Sequence, residues 1–289
     1  MRSAFEYIRP RTLTEALEFL KDRGNETSVV AGGTDLMIDI RKGALTSRYV
    51  LDVSRLDELR NVEFVAGKLQ IGAAVTFTEL IGSPAVAESA GVLAHGCRRI
   101  GSTQIRNVAT LGGNVANASP AADGVTPLVV LGASAVVRSD GAERIVPVED
   151  LISGPYRTTL KHDELIIGFR LDPLEEGTTF IFQRIARRQA LAVARINVAV
   201  TARRDSDGTV KEMRMSVGSV LPSPGCMTAA EQTLIGNKPT SELIREAAQK
   251  VSHEMIRQSG DRPSMAYKKP AVEGLVIKAL SELFDRGSL

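Results

Sequence analysis

Ile105-Arg106-Asn107-Val108-Ala109-Thr110-Leu111-Gly112-Gly113-Asn114 is the densest motif of a 289-residue chain, and residues 116–122 continue it in small side chains. Thr110, Asn114, Asn117 and Ser119 place polar groups around glycines and alanines that cannot fill space. Such a segment reads as a loop that leaves room for a ligand, although a purely structural use of it stays open. Asp123, just beyond, suits a ribose hydroxyl or the cap of a following helix. Upstream lies a twin. Val29-Val30-Ala31-Gly32-Gly33-Thr34-Asp35 is an apolar strand running into paired glycines, with Thr34 adding a hydroxyl. Paired glycines turn the chain sharply and leave backbone N–H groups unobstructed for an anion; a tight structural turn is the plainer alternative. Two such segments in one compact half match the needs of a dinucleotide with two linked phosphates.

Neither segment follows a common nucleotide fingerprint. Gly32-Gly33 lacks the third glycine of a dinucleotide-binding βαβ turn, and no Gly-Lys-Ser/Thr follows either pair. ATPase chemistry is therefore not expected. Composition removes further classes. Lys and Arg number 36 against 34 Asp and Glu, a net charge of +2 that provides no broad basic field for nucleic acid. The absence of Trp, with aromatics at 4%, argues against a stacking surface for single strands. Cys97 and Cys226 cannot supply the four thiolates of an iron–sulfur cluster. His95, His162 and His253 fall at no metal-ligand spacing, so no metal site is expected. Residues 1–10 have no apolar signal core, and the apolar stretch 125–137 is too short to span a bilayer. A cytoplasmic location is the expectation.

Working outward, residues 13–20 carry leucines and alanine at helical spacing, with Thr14 as a candidate cap. Residues 28–31 read as a buried strand, 36–40 as a short helix or apolar turn, and 49–53 as a second strand. A second unit opens with a strand at 69–72 and a helix starting near Thr78. Residues 85–100 read as helical, 128–131 as helix or strand, 135–137 as a strand before an Asp140-Gly141 turn, and 165–169 as a strand. Leu171-Asp172-Pro173-Leu174-Glu175-Glu176-Gly177 punctuates the chain as a domain boundary. Beyond it, 196–202 and 213–217 are strands around the turn at 205–208, and 241–255 and 271–284 are helices.

Outside the glycine segments the chemistry is sparse. Arg184, Arg187 and Arg188 form a basic cluster suited to a phosphate, a partner or plain solvation. In the basic segment 262–269, Tyr267 could cover a cofactor ring. Asp163 and Glu164 read as a surface turn rather than an acid/base pair, and His95 as a structural helix residue. With no nucleophile or acid/base pair in view, the hard chemistry belongs to a cofactor.

The two glycine segments, extended through Ser119-Pro120-Ala121-Ala122-Asp123 and joined by Ile71-Gly72-Ala73-Ala74-Val75-Thr76, resemble the FAD-binding medium subunit of the molybdenum hydroxylases, the group of xanthine and carbon monoxide dehydrogenases. The resemblance spans nearly the whole chain. It implies an α+β protein. Residues 1–175 would form an FAD-binding domain of two subdomains, 1–57 and 58–175, similar to vanillyl-alcohol oxidase-type flavoproteins. Residues 176–289 would form a C-terminal α/β domain with a three-stranded sheet and a helical bundle. Carried onto this chain, the resemblance implies that Ala31 to Asp35 cradle the pyrophosphate, after a strand through Val29 and Val30. Ile105, Ala109, Thr110, Gly112, Gly113 and Asn114 would cover another part of that phosphate and the flavin edge. Asn117 would add a polar contact, Asp123 would hold a ribose hydroxyl, and Leu165 or Ile166 would pack near the adenine or flavin. Where several relatives place a lysine after a phenylalanine near the flavin, this chain has Gln183 after Phe182.

The implied role is a redox relay. A large molybdenum-pterin subunit oxidises a substrate, a small subunit with two [2Fe-2S] clusters passes electrons on, and FAD in this chain delivers them to NAD+ or another acceptor. The complex would be a dimer of heterotrimers. Two other readings stand beside it: a self-contained FAD-dependent oxidase or reductase, and a non-catalytic structural subunit with a degenerate flavin fold.

Overall fold

The computed structural model describes residues 5–188 and 191–286. The first unit is a parallel sheet in the order β1-β3-β2, from β1 (Glu6–Ile8), β2 (Thr27–Val30) and β3 (Tyr49–Asp52). Helices α1 (Leu13–Arg23) and α2 (Leu36–Lys42) make the connections. The cap of α1 is Thr12, whose side chain accepts from the Glu15 N–H, and not Thr14. Thr12 takes the extended backbone that a cap requires, whereas Thr14 already lies inside the first turn. Leu13, Ala16, Leu17 and Leu20 bury one face of α1 against Leu51, Val53 and Leu165.

The second unit is a five-stranded antiparallel sheet ordered β4-β5-β10-β6-β7. Its strands are β4 (Val62–Val65), β5 (Lys68–Gly72), β6 (Ser134–Ser139), β7 (Ala142–Pro147) and β10 (Leu165–Leu171). Between β5 and β6 run six short helices: α3 (Phe77–Gly82), α4 (Pro84–Ser89), α5 (Gly91–Cys97), α6 (Thr103–Arg106), α7 (Leu111–Ala116) and α8 (Val125–Val130). The region expected as one helix over 85–100 is broken at Ala90, which leaves helical geometry at φ −144°. Helix α9 (Val148–Leu151) and the small hairpin β8 (Ile152–Gly154) and β9 (Arg157–Thr158) lead into β10. Leu69, Phe77, Leu93, Leu111, Leu128 and Phe169 are fully buried at the centre of this unit's core.

The third unit is the antiparallel sheet β11 (Thr179–Ala186), β12 (Ala194–Arg204) and β13 (Val210–Gly218), covered by α10 (Thr228–Leu234), α11 (Ser241–Ser259) and α12 (Met265–Arg286). Val198, Val200, Met215, Val251, Val276 and Leu280 pack its core. Two sheets with helical cover followed by a sheet-and-helix unit make the expected α+β architecture. No helix among the described residues is long and apolar enough to cross a membrane.

Candidate functional site

A cleft of about 680 Å³ opens where the three units meet. The size falls in the range of roughly 300–1,000 Å³ usual for small-molecule and cofactor sites. Val29, Val30, Ala31, Gly32, Gly33, Thr34 and Asp35 form one wall, and Ile105, Ala109, Thr110, Gly113, Asn114 and Asn117 form the facing one. Asp123 closes one end, and Arg188 with Leu191, Ala192 and Val193 reach in from the third unit. Strand β2 is thus not buried as expected: Val29 is 39% exposed because its side chain faces this opening.

The two glycine segments touch. A Cβ at Gly32 would lie 2.1 Å from the carbonyl oxygen of Val108, so only a glycine allows the turn after β2 to rest on that peptide. Gly33 takes φ +70°, the left-handed region, and turns the chain into α2. Among the described residues, the N–H groups of Gly32, Gly33, Thr34 and Asp35 donate to no main-chain acceptor. That leaves a short run of donors without main-chain acceptors on residues that line the cleft, the kind of arrangement that holds an anion.

The second segment works differently from its expectation as a loop. Leu111, Gly112, Gly113 and Asn114 form the first turn of α7, and the Thr110 side chain accepts from the Gly113 N–H at 3.1 Å. The Leu111 N–H donates to Val75 O and the Gly112 N–H to Ala73 O, at 3.0 and 2.9 Å. The Asn114 N–H donates to Thr110 O. With its first-turn donors satisfied inside the protein, α7 offers the cleft side chains and open space rather than backbone N–H groups. A Cβ at Gly112 would lie 2.7 Å from Ala73 O, which explains a glycine that faces protein rather than ligand.

Asn114 carries an informative loose end. Its Oδ1 is buried without a hydrogen-bond partner. It sits against Gly124, where a Cβ would lie 2.6 Å from it, and a buried, unpaired polar atom costs about 1–3 kcal/mol.

Asp123 is held by the protein itself. Its carboxylate accepts from Arg184 Nη1 at 2.6 Å and from Asn197 Nδ2 at 2.8 Å, and Thr126 Oγ1 donates to Asn197 Oδ1. Asp123 and Arg184 are both almost completely buried. Burial pushes the Asp123 carboxyl up from its ordinary range, against the pull of Arg184 and Asn197. Arg184 is therefore neither solvated nor a direct phosphate ligand. It joins β11 to the floor of the cleft and also donates to Ala192 O.

Leu165 and Ile166 lie off the main cleft, in an adjoining chamber of about 120 Å³. Val29, Ala31, Ala73, Gly112, Gly113 and Leu160 are among its other apolar walls. His162 and Asp163 form the expected turn before β10, and Glu164, its side chain 6% exposed, borders the chamber rather than the open surface.

Gln183 is not at the cleft. Side chains alternate along β11, so Phe182 and Arg184 face the second unit while Gln183 faces α12 and donates to Glu282 at 2.6 Å. Tyr267 also stands outside the cleft lining, beneath the Arg195 guanidinium. His95 packs edge-on against Phe180. Among the described residues no cluster of His, Cys, Asp or Glu could hold a metal. Reading the sequence missed Ile100, Gly101, Phe77 and the stretch from Leu191 to Val193; no pattern in those residues signals a shared wall.

Residues 3–173 match the family described as the FAD binding domain in molybdopterin dehydrogenase, and residues 181–283 match the CO dehydrogenase flavoprotein C-terminal domain. The chain belongs to the FAD-binding medium subunits of the molybdenum hydroxylases. It is 31% identical over 278 residues to a putative xanthine dehydrogenase FAD-binding subunit of Escherichia coli K12, covering 96% of this chain and 94% of that one. To the glyceraldehyde dehydrogenase medium chain of Sulfolobus acidocaldarius it is 30% identical over 280 residues, 96% and 98% of the two chains. Its fold superposes on a carbon monoxide dehydrogenase chain from Hydrogenophaga pseudoflava with a TM-score of 0.92 at 27% identity, covering 99% of each. As a medium subunit, the protein serves as the FAD-binding component of a molybdenum-hydroxylase electron-transfer enzyme.

The cleft fits FAD by its own chemistry. N–H groups from Gly32 to Asp35 that lack a main-chain acceptor suit a pyrophosphate, and Thr110, Asn114 and Asn117 line the same cleft with polar side chains.

Proposed function

We propose that this chain is the flavin-bearing link between a partner subunit carrying two [2Fe-2S] clusters and NAD+ or another acceptor, in a complex whose molybdenum-pterin subunit oxidises the substrate. The observation that carries the reading is the run of N–H groups without a main-chain acceptor at Gly32, Gly33, Thr34 and Asp35, on a segment that lines the cleft together with Asn114 and Asn117. Bound FAD would supply the ability to take electrons singly and release them in pairs.

Each residue has a definite task in that reading. The turn after β2 binds the pyrophosphate through its backbone and fixes its position, because Gly32 is pressed on Val108 and cannot drift. Arg188, whose Nε and Nη2 donate to Leu191 O, places a cation at the cleft and braces the stretch that narrows it. Asn114 and Asn117 orient the flavin edge from α7. Leu165 and Ile166 close the apolar chamber on a ring and exclude water. Asp123 already accepts two strong bonds, so a ribose hydroxyl adds a third contact to a carboxylate oriented by Arg184 and Asn197.

The division into an FAD-binding part over 1–175, with subdomains 1–57 and 58–175, and a C-terminal part over 176–289 belongs to the same proposal. Support comes from a hydrophobic cluster centred on each part, although Leu59, Ala74 and Leu165 join the first and Phe182 and Ala199 the second, and from the connection between β10 and β11, where Leu171 ends one sheet and Thr179 begins the next.

The test is purification of the native complex with subunit, metal and flavin analysis. FAD equimolar with this chain, in a complex that also contains molybdenum and four irons per copy, is the expected result. A chain that turns over substrate alone, or that binds no FAD, would overturn the reading.

A further inference from the structure

Two residues of the densest motif, Arg106 and Asn107, line no part of the cleft, although their neighbours Ile105 and Ala109 do. Arg106 ends α6 and Asn107 caps it. Arg106 Nη1 donates to Ile100 O at 2.9 Å, and its Nη2 donates to Thr103 Oγ1 at 3.0 Å. Asn107 Oδ1 accepts from Thr78 Oγ1 at 2.7 Å, which ties the end of α6 to α3.

Arg106 thereby holds a wall of the cleft. Ile100 and Gly101 both line it, and they lie in the turn between α5 and α6. Gly101 takes φ +47°, the left-handed region. A Cβ there would lie 2.8 Å from Ile105 Cγ2 and 2.9 Å from Ile105 Cβ, so a side chain at this position is shut out. The turn is packed on Ile105 and tied to Arg106, adjacent residues of a helix only four residues long. So short a helix has little stability of its own. Its outside contacts therefore decide where the turn lies.

The bonding of Arg106 also separates it from an ordinary surface ion pair. Among the described residues, its printed hydrogen-bond partners are a carbonyl and a hydroxyl. A planar guanidinium with two donors on two acceptors fixes direction as well as distance. The Gly101 N–H donates to no main-chain acceptor, which leaves a donor on a residue that lines the cleft. Hydrogen bonds and charges beside a flavin tune its electronics.

We propose that Arg106 is a positioning residue for FAD, holding the Ile100–Gly101 turn so that the backbone of this turn sets the reduction potential of the bound flavin. The inference rests on the FAD reading above. Asn107 serves the same end by anchoring α6 to α3.

The experiment places Arg106→Met, Arg106→Lys and Thr103→Val in the native complex and reads flavin content, visible spectrum and flavin reduction potential. Amide hydrogen exchange over residues 98–106 is read on the full chain without FAD. Arg106→Met should speed exchange at Ile100 and Gly101. It should also lower the reduced-to-oxidised ratio at fixed potential about tenfold, a shift of about 30 mV for a two-electron couple. Arg106→Lys keeps the charge but not the fork, so its potential should fall between those of wild type and Arg106→Met. Thr103 is exposed, and Thr103→Val removes one acceptor only, so the fold should persist with a smaller shift in the same direction. A wild-type potential in Arg106→Met, or in Thr103→Val where the methionine variant fails to assemble, would overturn the proposal. Unchanged exchange in Arg106→Met would overturn it too, and full recovery by lysine would assign the effect to charge instead of position. Flavin content of the wild-type complex keeps the two readings apart: absence of FAD there sinks the cofactor assignment, whereas FAD present without a shift sinks the role of Arg106 alone.

Discussion

Gly32 rests on the main chain of Val108: a Cβ there would lie 2.1 Å from the Val108 carbonyl oxygen and 2.7 Å from the Ala109 Cα. Both obstacles are backbone, so neither can rotate away. Gly32→Ala must therefore separate the turn after β2 from the segment before α7. The expected result is a loss of about 2 kcal/mol or more, typical of overpacking against rigid surroundings, together with loss of bound FAD. Gly82→Ala is the matched control. A Cβ there meets nothing within 4 Å at the end of α3, so stability should hold or rise by up to about 1 kcal/mol. Thermal melts and flavin content of the two variants check both expectations; equal behaviour would refute the contact argument.

Asn114→Ala separates binding from folding. The Asn114 Oδ1 has no partner to lose, so the FAD-free chain should change by less than about 1 kcal/mol. If FAD completes that oxygen, affinity should fall by roughly tenfold. Fluorescence titration of FAD against the wild-type and Asn114→Ala chains provides the measurement. Unchanged affinity would mean that the oxygen faces no part of the cofactor.

The sequence made the elements far easier to read than the surfaces they share. Leucines at helical spacing located α1, and the glycine pairs located the cleft, because periodicity and backbone freedom are local properties. Gly112 and Gly113 were harder. Glycine is a poor helix former, yet the Thr110 cap and the carbonyls of Ala73 and Val75 recruit these residues into α7. The resemblance puts Gln183 near the flavin, whereas strand alternation turns it to the opposite face, toward Glu282. The partner of Asp123 was out of reach for another reason: Asn197 and Arg184 lie 74 and 61 residues away, and only tertiary packing brings them together.

The buried Asp123–Arg184 pair should behave as a unit. Arg184→Met leaves a buried carboxylate without its cation, and Asp123→Asn leaves a buried guanidinium without its anion. Each single change should cost about 3–5 kcal/mol, and the double variant should cost clearly less than the sum. The same pair anchors Ala192, which lines the cleft. Both single variants should therefore release FAD more readily than their stability loss alone would cause. Urea melts and a double-mutant cycle test the coupling; additive costs would show that the pair does not act together.

Glu164 gives the chain an acid-sensitive contact at the apolar chamber. Arg144 donates to it at 2.8 and 2.7 Å, holding the carboxyl below its ordinary range, and the Lys161 N–H adds to the effect at 2.8 Å. A carboxyl whose value is lowered by folding stabilises the protein above its unfolded pKa, about 4.3. That contribution is lost as pH falls through the unfolded value and on to the lower folded one. Glu164→Gln should therefore reduce stability at pH 7 and flatten the fall in melting temperature below about pH 5. Because Glu164 borders the chamber with Leu165 and Ile166, wild-type FAD release should steepen over the same acid range. Parallel acid limbs in the two proteins would show that Arg144 does not hold this carboxylate in its charged form.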